Sequence, residues 1–269
     1  MTALLLVFTL FLMTACGTST AQTLGTTFAA TPGITQTSTI SASAIDYSQD
    51  DLDPRWSASS ASSITLNGQS VLVSGTGATA TGSKVTITSA GTYVISGKLS
   101  DGQVIVNTES EENVRIVLNG AEITCAASAP VYVEKAKKVI LILADGTQNT
   151  LTDGTKYTYA SAEETEPDAA LFSKADLTIN GTGTLTVKAN YNDGIASKDE
   201  LKIVSGTLVI QSVGDGIRGR DFIAVKDGLI TIQSTGDGLK STNDVDAAKG
   251  DIAISGGTLK ITSGGDGIQ

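Results

Sequence analysis

Four aspartates recur in one local setting: Asp193 in "NDGI", Asp215 in "GDGI", Asp237 in "GDGL" and Asp266 in "GDGI", spaced 22, 22 and 29 residues apart. If the chain stacks them, their carboxylates stand about 5 Å apart and repel unless something neutralises them. Calcium is one solution, because it accepts about six to eight oxygen ligands in loose geometry. Ion pairing with Lys198, Arg218, Arg220 and Lys240 is a second. The third is plain turn chemistry, since Asp-Gly suits a tight turn without any ligand. The inserted "TNDVDAAKGD" crowds Asn243, Asp244 and Asp246 into one loop with no packing need for them, which favours calcium. A second acidic column would run through Asp199, Asp221 and Asn243.

The elements that must position these residues follow from the repeat. Aligning "NDGIASKDELKIVSGTLVIQSVG" with "GDGIRGRDFIAVKDGLITIQSTG" superposes three short apolar stretches per unit, such as Ile195, Leu201/Ile203 and Leu208/Ile210. Three strands in 22 residues suit one rung of a parallel β-helix. Rungs then stack about 4.8 Å apart, and neighbouring rungs supply the core that one rung cannot bury alone. The register predicts that Ile195, Ile217, Leu239 and Ile268 point inward. In "AALFSKADLTINGTGTLTVKA", Ala169 stands where the Asp has been lost. The longer third unit predicts a loop leaving one corner. From Ile64 onward, "ITLNG", "VLVSG" and "KVTITSAGTYVISG" read as short strands alternating with turns, a small β-rich N-terminal cap is expected to precede the solenoid, and no helix of useful length is expected. The fold class is all-β, with the solenoid over 61–269; the last rung has only begun at Gln269, so a continuation is expected.

The run "YNDGIASKDELKI … GDGIRGRD … GDGLKSTNDVDAAKG … GTLKITSGGDGIQ", with upstream "VRIVLNGAEIT" and "LADGTQNTLTDG", resembles a family of bacterial surface carbohydrate-binding proteins. That resemblance implies a right-handed parallel β-helix carrying Ca²⁺, pectate-lyase-like in shape, and association with cellulose or polygalacturonate. It implies Asn192, Asp193, Asp215, Asp237, Asp266 and the loop Asn243, Asp244 and Asp246 as calcium ligands. Lys198, Arg218, Arg220 and Lys240 are then the contacts to an acidic sugar chain. Tyr191, with Tyr157 and Tyr159, is expected either to stack on a sugar ring or to pack within a loop.

Net charge is −10, with 28 acidic against 18 basic residues, which excludes simple electrostatic attraction to nucleic acid. There is no His, so the usual zinc ligand and general base are missing. "TALLLVFTLFLMTAC" is too short to favour a membrane span, and its "MTAC" resembles a bacterial lipobox. Residues 1–16 therefore read as a lipoprotein signal with Cys16 lipidated, or as a signal peptide cut elsewhere; either predicts export. With Cys16 lipidated, Cys125 has no disulfide partner. Residues 17–60 read as a Ser/Thr-rich tether, in which "DYSQDDLDPRWS" is a solvated acidic approach. The expected function is calcium-dependent binding of a cell-wall polysaccharide at the cell surface, without catalysis. A pectate-lyase-like activity with Lys198, Arg218 or Lys240 as base, and a surface protein or adhesin with purely structural calcium, are the alternatives.

Overall fold

A computed structural model describes residues 45–269. Cys16, the apolar leader and the tether up to residue 44 lie outside the described residues. The described chain is all-β, with 22 strands and one helical turn, Gln49–Leu52. It forms a parallel β-solenoid of about seven turns.

Each rung contributes three strands, as the apolar spacing predicts. The unit beginning at Asp193 forms Asp193–Ser197, Glu200–Ile203 and Thr207–Ser212. Strands at equivalent places pair in parallel in register, with Ile195 opposite Ile217, Leu201 opposite Ile223, and Ile210 opposite Ile232. Three faces result. The first stacks 131–135, 169–173, 193–197, 217–219 and 239–241. The second stacks 138–143, 176–181, 200–203, 222–225 and 251–254. The third stacks 148–153, 184–189, 207–212, 229–234 and 258–263.

Alternation along each strand sends one set of aliphatics inward. Ile195, Leu201, Ile203, Leu208, Ile210 and Ile217 are all essentially inaccessible and belong to one continuous core. Gly206 and Gly228, at φ +119° and +122°, turn the chain from the second face to the third. That left-handed conformation is open to glycine and strained for other residues. Thr242–Gly250 leaves the corner after strand Leu239–Ser241, where the extra residues were expected. At the N-terminal end, Ser62–Gly68 pairs antiparallel with Ser70–Ser74, and Ala78–Thr81 with Lys84–Ile87, before parallel stacking takes over.

One expectation is corrected. The acidic stretch around Asp51 is no solvated approach: it straps onto the second face. Asp51 is fully buried, accepting from Thr178 Oγ1 at 2.6 Å and from Lys138 Nζ at 3.2 Å. Ser48 closes a capping box with it, Asn180 donates to the Asp51 carbonyl, and Lys202 donates to the Asp46 carbonyl. Burial pushes the Asp51 carboxyl up, but hydrogen bonds from Thr178 and Ser48 and the Lys138 charge bring it below its ordinary value. Negative charge looked like solvent exposure in the sequence. It is burial here because two lysines and a threonine on adjacent rungs converge on it.

Candidate functional site

The four repeat aspartates stack, and backbone hydrogen bonds explain how. Asp215 N–H donates to Asp193 Oδ1 at 2.8 Å, Asp237 N–H to Asp215 Oδ1 at 2.8 Å, and Asp266 N–H to Asp237 Oδ1 at 2.7 Å. Each carboxylate thus caps the amide of its equivalent one rung on. The outward oxygens meet cations. Arg218 Nε donates to Asp193 Oδ2 at 2.5 Å, while its Nη2 donates to both oxygens of Asp168 at 2.7 Å. Lys240 Nζ lies 2.7 Å from Asp237 Oδ2 and 3.8 Å from Asp215 Oδ2. Burial pushes the Asp193 carboxyl up, with Arg218 pulling against it, and Asp168 behaves alike.

The flanking glycines are required by space. A Cβ added at Gly214, Gly236 or Gly265 would overlap the carboxylate of the previous rung's Asp193, Asp215 or Asp237. A Cβ on Gly194, Gly216 or Gly238 would overlap Ile210, Ile232 or Ile261 and a glycine carbonyl of the next rung. Asn192 is the one departure from Gly before the Asp. It is allowed because Ala169, the residue paired with Asp193 from the rung below, has no carboxylate to accommodate.

This donor set does not fit a calcium ion within the column. A divalent cation seeking oxygen would have to displace Arg218 from Asp193 and Lys240 from Asp237, and the inner oxygens already accept amide hydrogens. Among the described residues, no group of three or more acidic side chains is arranged to hold a metal. Of the other expected ligands, Asn243 Oδ1 accepts from Val245 N–H and Asp246 N–H, and Asp246 Oδ1 accepts from Ala248 N–H. Those bonds shape the loop. Asp244 and Asp266 are exposed. Arg218 and Lys240, expected to face a ligand, are engaged by the column instead.

Lys198 and Arg220 have a different setting. With Lys174, Glu166, Asp199, Asp221, Asn243, Asp246 and Lys249 they line a groove of about 550 Å³ where the first face turns to the second. Glu166 reaches in from the acidic loop 154–168 and pairs with Lys198 at 2.5 Å and Lys174 at 3.7 Å. Lys249, from the inserted loop, pairs with Asp221 at 2.5 Å. Arg220 is exposed and carries no ion pair among the described residues. Asp199 is pushed up to about 6, by burial first and then by its hydrogen bond with Asp221 and the charge of Asp176. The groove therefore holds a free guanidinium beside carboxyl and amide oxygens. That combination receives a carboxylate bidentately and accepts hydrogen bonds from sugar hydroxyls.

Tyr191 stacks on Tyr157, with ring centroids 4.2 Å apart and planes at 15°, and the Tyr157 hydroxyl donates to Asp153 at 2.7 Å. Tyr159 donates to the Pro167 carbonyl at 2.9 Å. These tyrosines pin the acidic loop, and one face of Tyr191 is taken by that packing. Glu166, Asp168 and Lys249 are site residues that the repeat did not indicate. Asp168 had one signal: an acid directly preceding Ala169, the rung position that lost its Asp.

Residues 81–269 match the family described as carbohydrate-binding domain-containing proteins. The chain belongs to that family. A carbohydrate-binding domain-containing protein of Acetivibrio thermocellus is 47% identical over 186 residues, covering 69% of this chain and 65% of the relative. The chain thus spans less than two thirds of that relative's length. A solved structure, the polysaccharide lyase-like protein from C. thermocellum as a gadolinium derivative, superposes with a TM-score of 0.74 at 31% identity. It covers 77% of this chain and 93% of its own.

Proposed function

We propose that this domain binds an acidic polysaccharide in the groove between the first and second faces, with Arg220 receiving a uronate carboxylate. The observation that carries this reading is the unpaired, exposed Arg220 guanidinium in a groove whose other cations each have a carboxylate partner or lie beside Glu166. Membership of the carbohydrate-binding domain family supports a sugar polymer as partner. Asp199, Asp246 and Asn243 accept or donate to hydroxyls along the chain. A protein of charge −10 holds a polyanion this way because attraction is local: Arg220 is a groove cation without an ion-pair partner among the described residues, and overall charge is screened beyond about 10 Å.

Export and lipidation at Cys16 complete the proposal: residues 17–44 tether the domain at the cell surface. Titration calorimetry with polygalacturonate tests it, with cellulose pull-down as the neutral arm. Arg220→Ala should weaken polygalacturonate binding about tenfold or more, as loss of a charged bidentate contact does. Unchanged affinity overturns the assignment. Calcium enters as a variable of the same titration. Equal affinities with calcium and with chelator assign recognition to the basic side chains alone, whereas loss on chelation assigns part of it to a cation in the groove.

The lyase reading needs a free base. Arg218 and Lys240 are paired with carboxylates, and Lys240 is held above its ordinary value by its hydrogen bond to Asp237, which is the wrong direction for a base. Lys198 is paired with Glu166. Release of unsaturated oligosaccharides from polygalacturonate would restore that reading.

A further inference from the structure

Glu166 stands where a ligand's acid would stand. Along the outer corner of the first face, Lys174, Lys198, Arg220 and Thr242 follow one another rung by rung: each backbone N–H donates to the preceding rung, Lys198 to Ser173, Arg220 to Ser197 and Thr242 to Gly219. Successive cations in this file are therefore separated by one rung, about 4.8 Å. Glu166 enters from the side and places one carboxylate oxygen 2.5 Å from Lys198 Nζ and the other 3.7 Å from Lys174 Nζ. Among the described residues, no comparable carboxylate reaches Arg220, the next cation of the file.

The loop that carries Glu166 is fixed at several points. Tyr159 holds the Pro167 carbonyl at 2.9 Å, Tyr157 holds the Ala169 carbonyl at 3.2 Å, and Asp168 is gripped by Arg218. Tyr157 is in turn held by the buried Asp153. Glu166 is thus presented without a large ordering cost, as a preorganised competitor would be. Its grip on the lysines is nonetheless weak, since Lys174 and Lys198 keep 40% and 36% of their side-chain surface in water.

Resting on the acidic-polysaccharide reading above, we infer that Glu166 is an internal carboxylate that occupies the Lys174–Lys198 subsite and sets the affinity for uronate chains. A chain entering at Arg220 extends toward Lys198 only by displacing Glu166. The residue thereby holds down the affinity of chains that present several carboxylates in sequence, whereas a single uronate at Arg220 does not meet it.

The test uses the full chain and oligogalacturonates of one, three and six units, titrated against wild type, Glu166→Gln and Arg220→Ala, with a neutral glucan as control. Glu166→Gln should bind the longer oligomers about fivefold tighter, the size expected for releasing a partly exposed ion pair. It should leave the single uronate and the neutral glucan unchanged, and so widen the gap between short and long oligomers. Glu166→Asp, one methylene shorter, keeps the loop's charge and should tighten binding less; it also decides the matter if the glutamine variant fails to fold. Unchanged or weaker binding by the Glu166 variants, with wild-type binding intact and dependent on Arg220, overturns this inference alone. Binding that is indifferent to Arg220→Ala overturns the proposed groove, and this inference with it.

Discussion

The column Asp193–Asp215–Asp237–Asp266 and the column Asp199–Asp221–Asn243 come from the same repeat, six residues apart on each rung. In the first, every inner oxygen from Asp193 to Asp237 accepts an amide of the next rung, and Arg218 and Lys240 complete the outer ones. In the second, Asp199 and Asp221 face each other, share a hydrogen bond, and have one nearby ammonium, Lys249, on an inserted loop. The first column is closed and structural; the second is left short of positive charge and borders the groove. Equal spacing of acids therefore says nothing about function until the partners of each oxygen are known.

Removing Asp193 breaks the contrast most severely. Asp193→Ala strips a buried partner from Arg218 and a cap from the Asp215 amide, and should cost about 3 kcal/mol in denaturant unfolding. A loss below about 1 kcal/mol, or one that appears only when calcium is present, would mean that the column is a ligand set after all. Gly236→Ala comes next. Its new Cβ would overlap Asp215 Oδ1 and lie 2.9 Å from the Gly214 backbone, so about 2 kcal/mol of overpacking is expected in the same measurement.

The second column should respond to pH instead. Asp199 is raised from 3.8 to about 6 in the folded chain. The stability its protonated form contributes is full below pH 3.8 and is lost as pH rises through about 6. Asp199→Asn, which stays neutral, should match wild type in melting temperature near pH 4 and exceed it above pH 7. The margin is small, under about 1 kcal/mol, because solvent screens the site. A pH-independent difference would break the reading. Smallest is Lys249→Ala, whose solvent-facing pair with Asp221 should shift the melting temperature least, by an amount that fades with added salt.

Much of the architecture was legible in the residues. The 22-residue spacing, the inward Ile195, Ile217 and Leu239, the lost Asp at Ala169 and the corner loop at Thr242–Gly250 are all where the repeat puts them. The strap at Asp51 was not legible, because its partners Lys138, Thr178 and Asn180 lie on rungs far along the chain. In the candidate site, Arg218 and Arg220 were indistinguishable, being two residues apart on one strand end. The strand ends at Gly219, so Arg218 stays over the acid column while Arg220 lies past the corner in the groove, and only the neighbouring rungs reveal which is satisfied.

The amino-acid sequence by itself determined the solenoid, since a period-22 pattern of β-branched residues can bury its apolar positions only by stacking rung on rung. It also determined the Gly-Asp-Gly steps, although not the reason for them. Tertiary structure decided what each acid does. A carboxylate's chemistry is set by whatever lies within about 3 Å of its oxygens. In a solenoid those neighbours are an amide one rung away, a guanidinium across the strand, or an ammonium on an inserted loop.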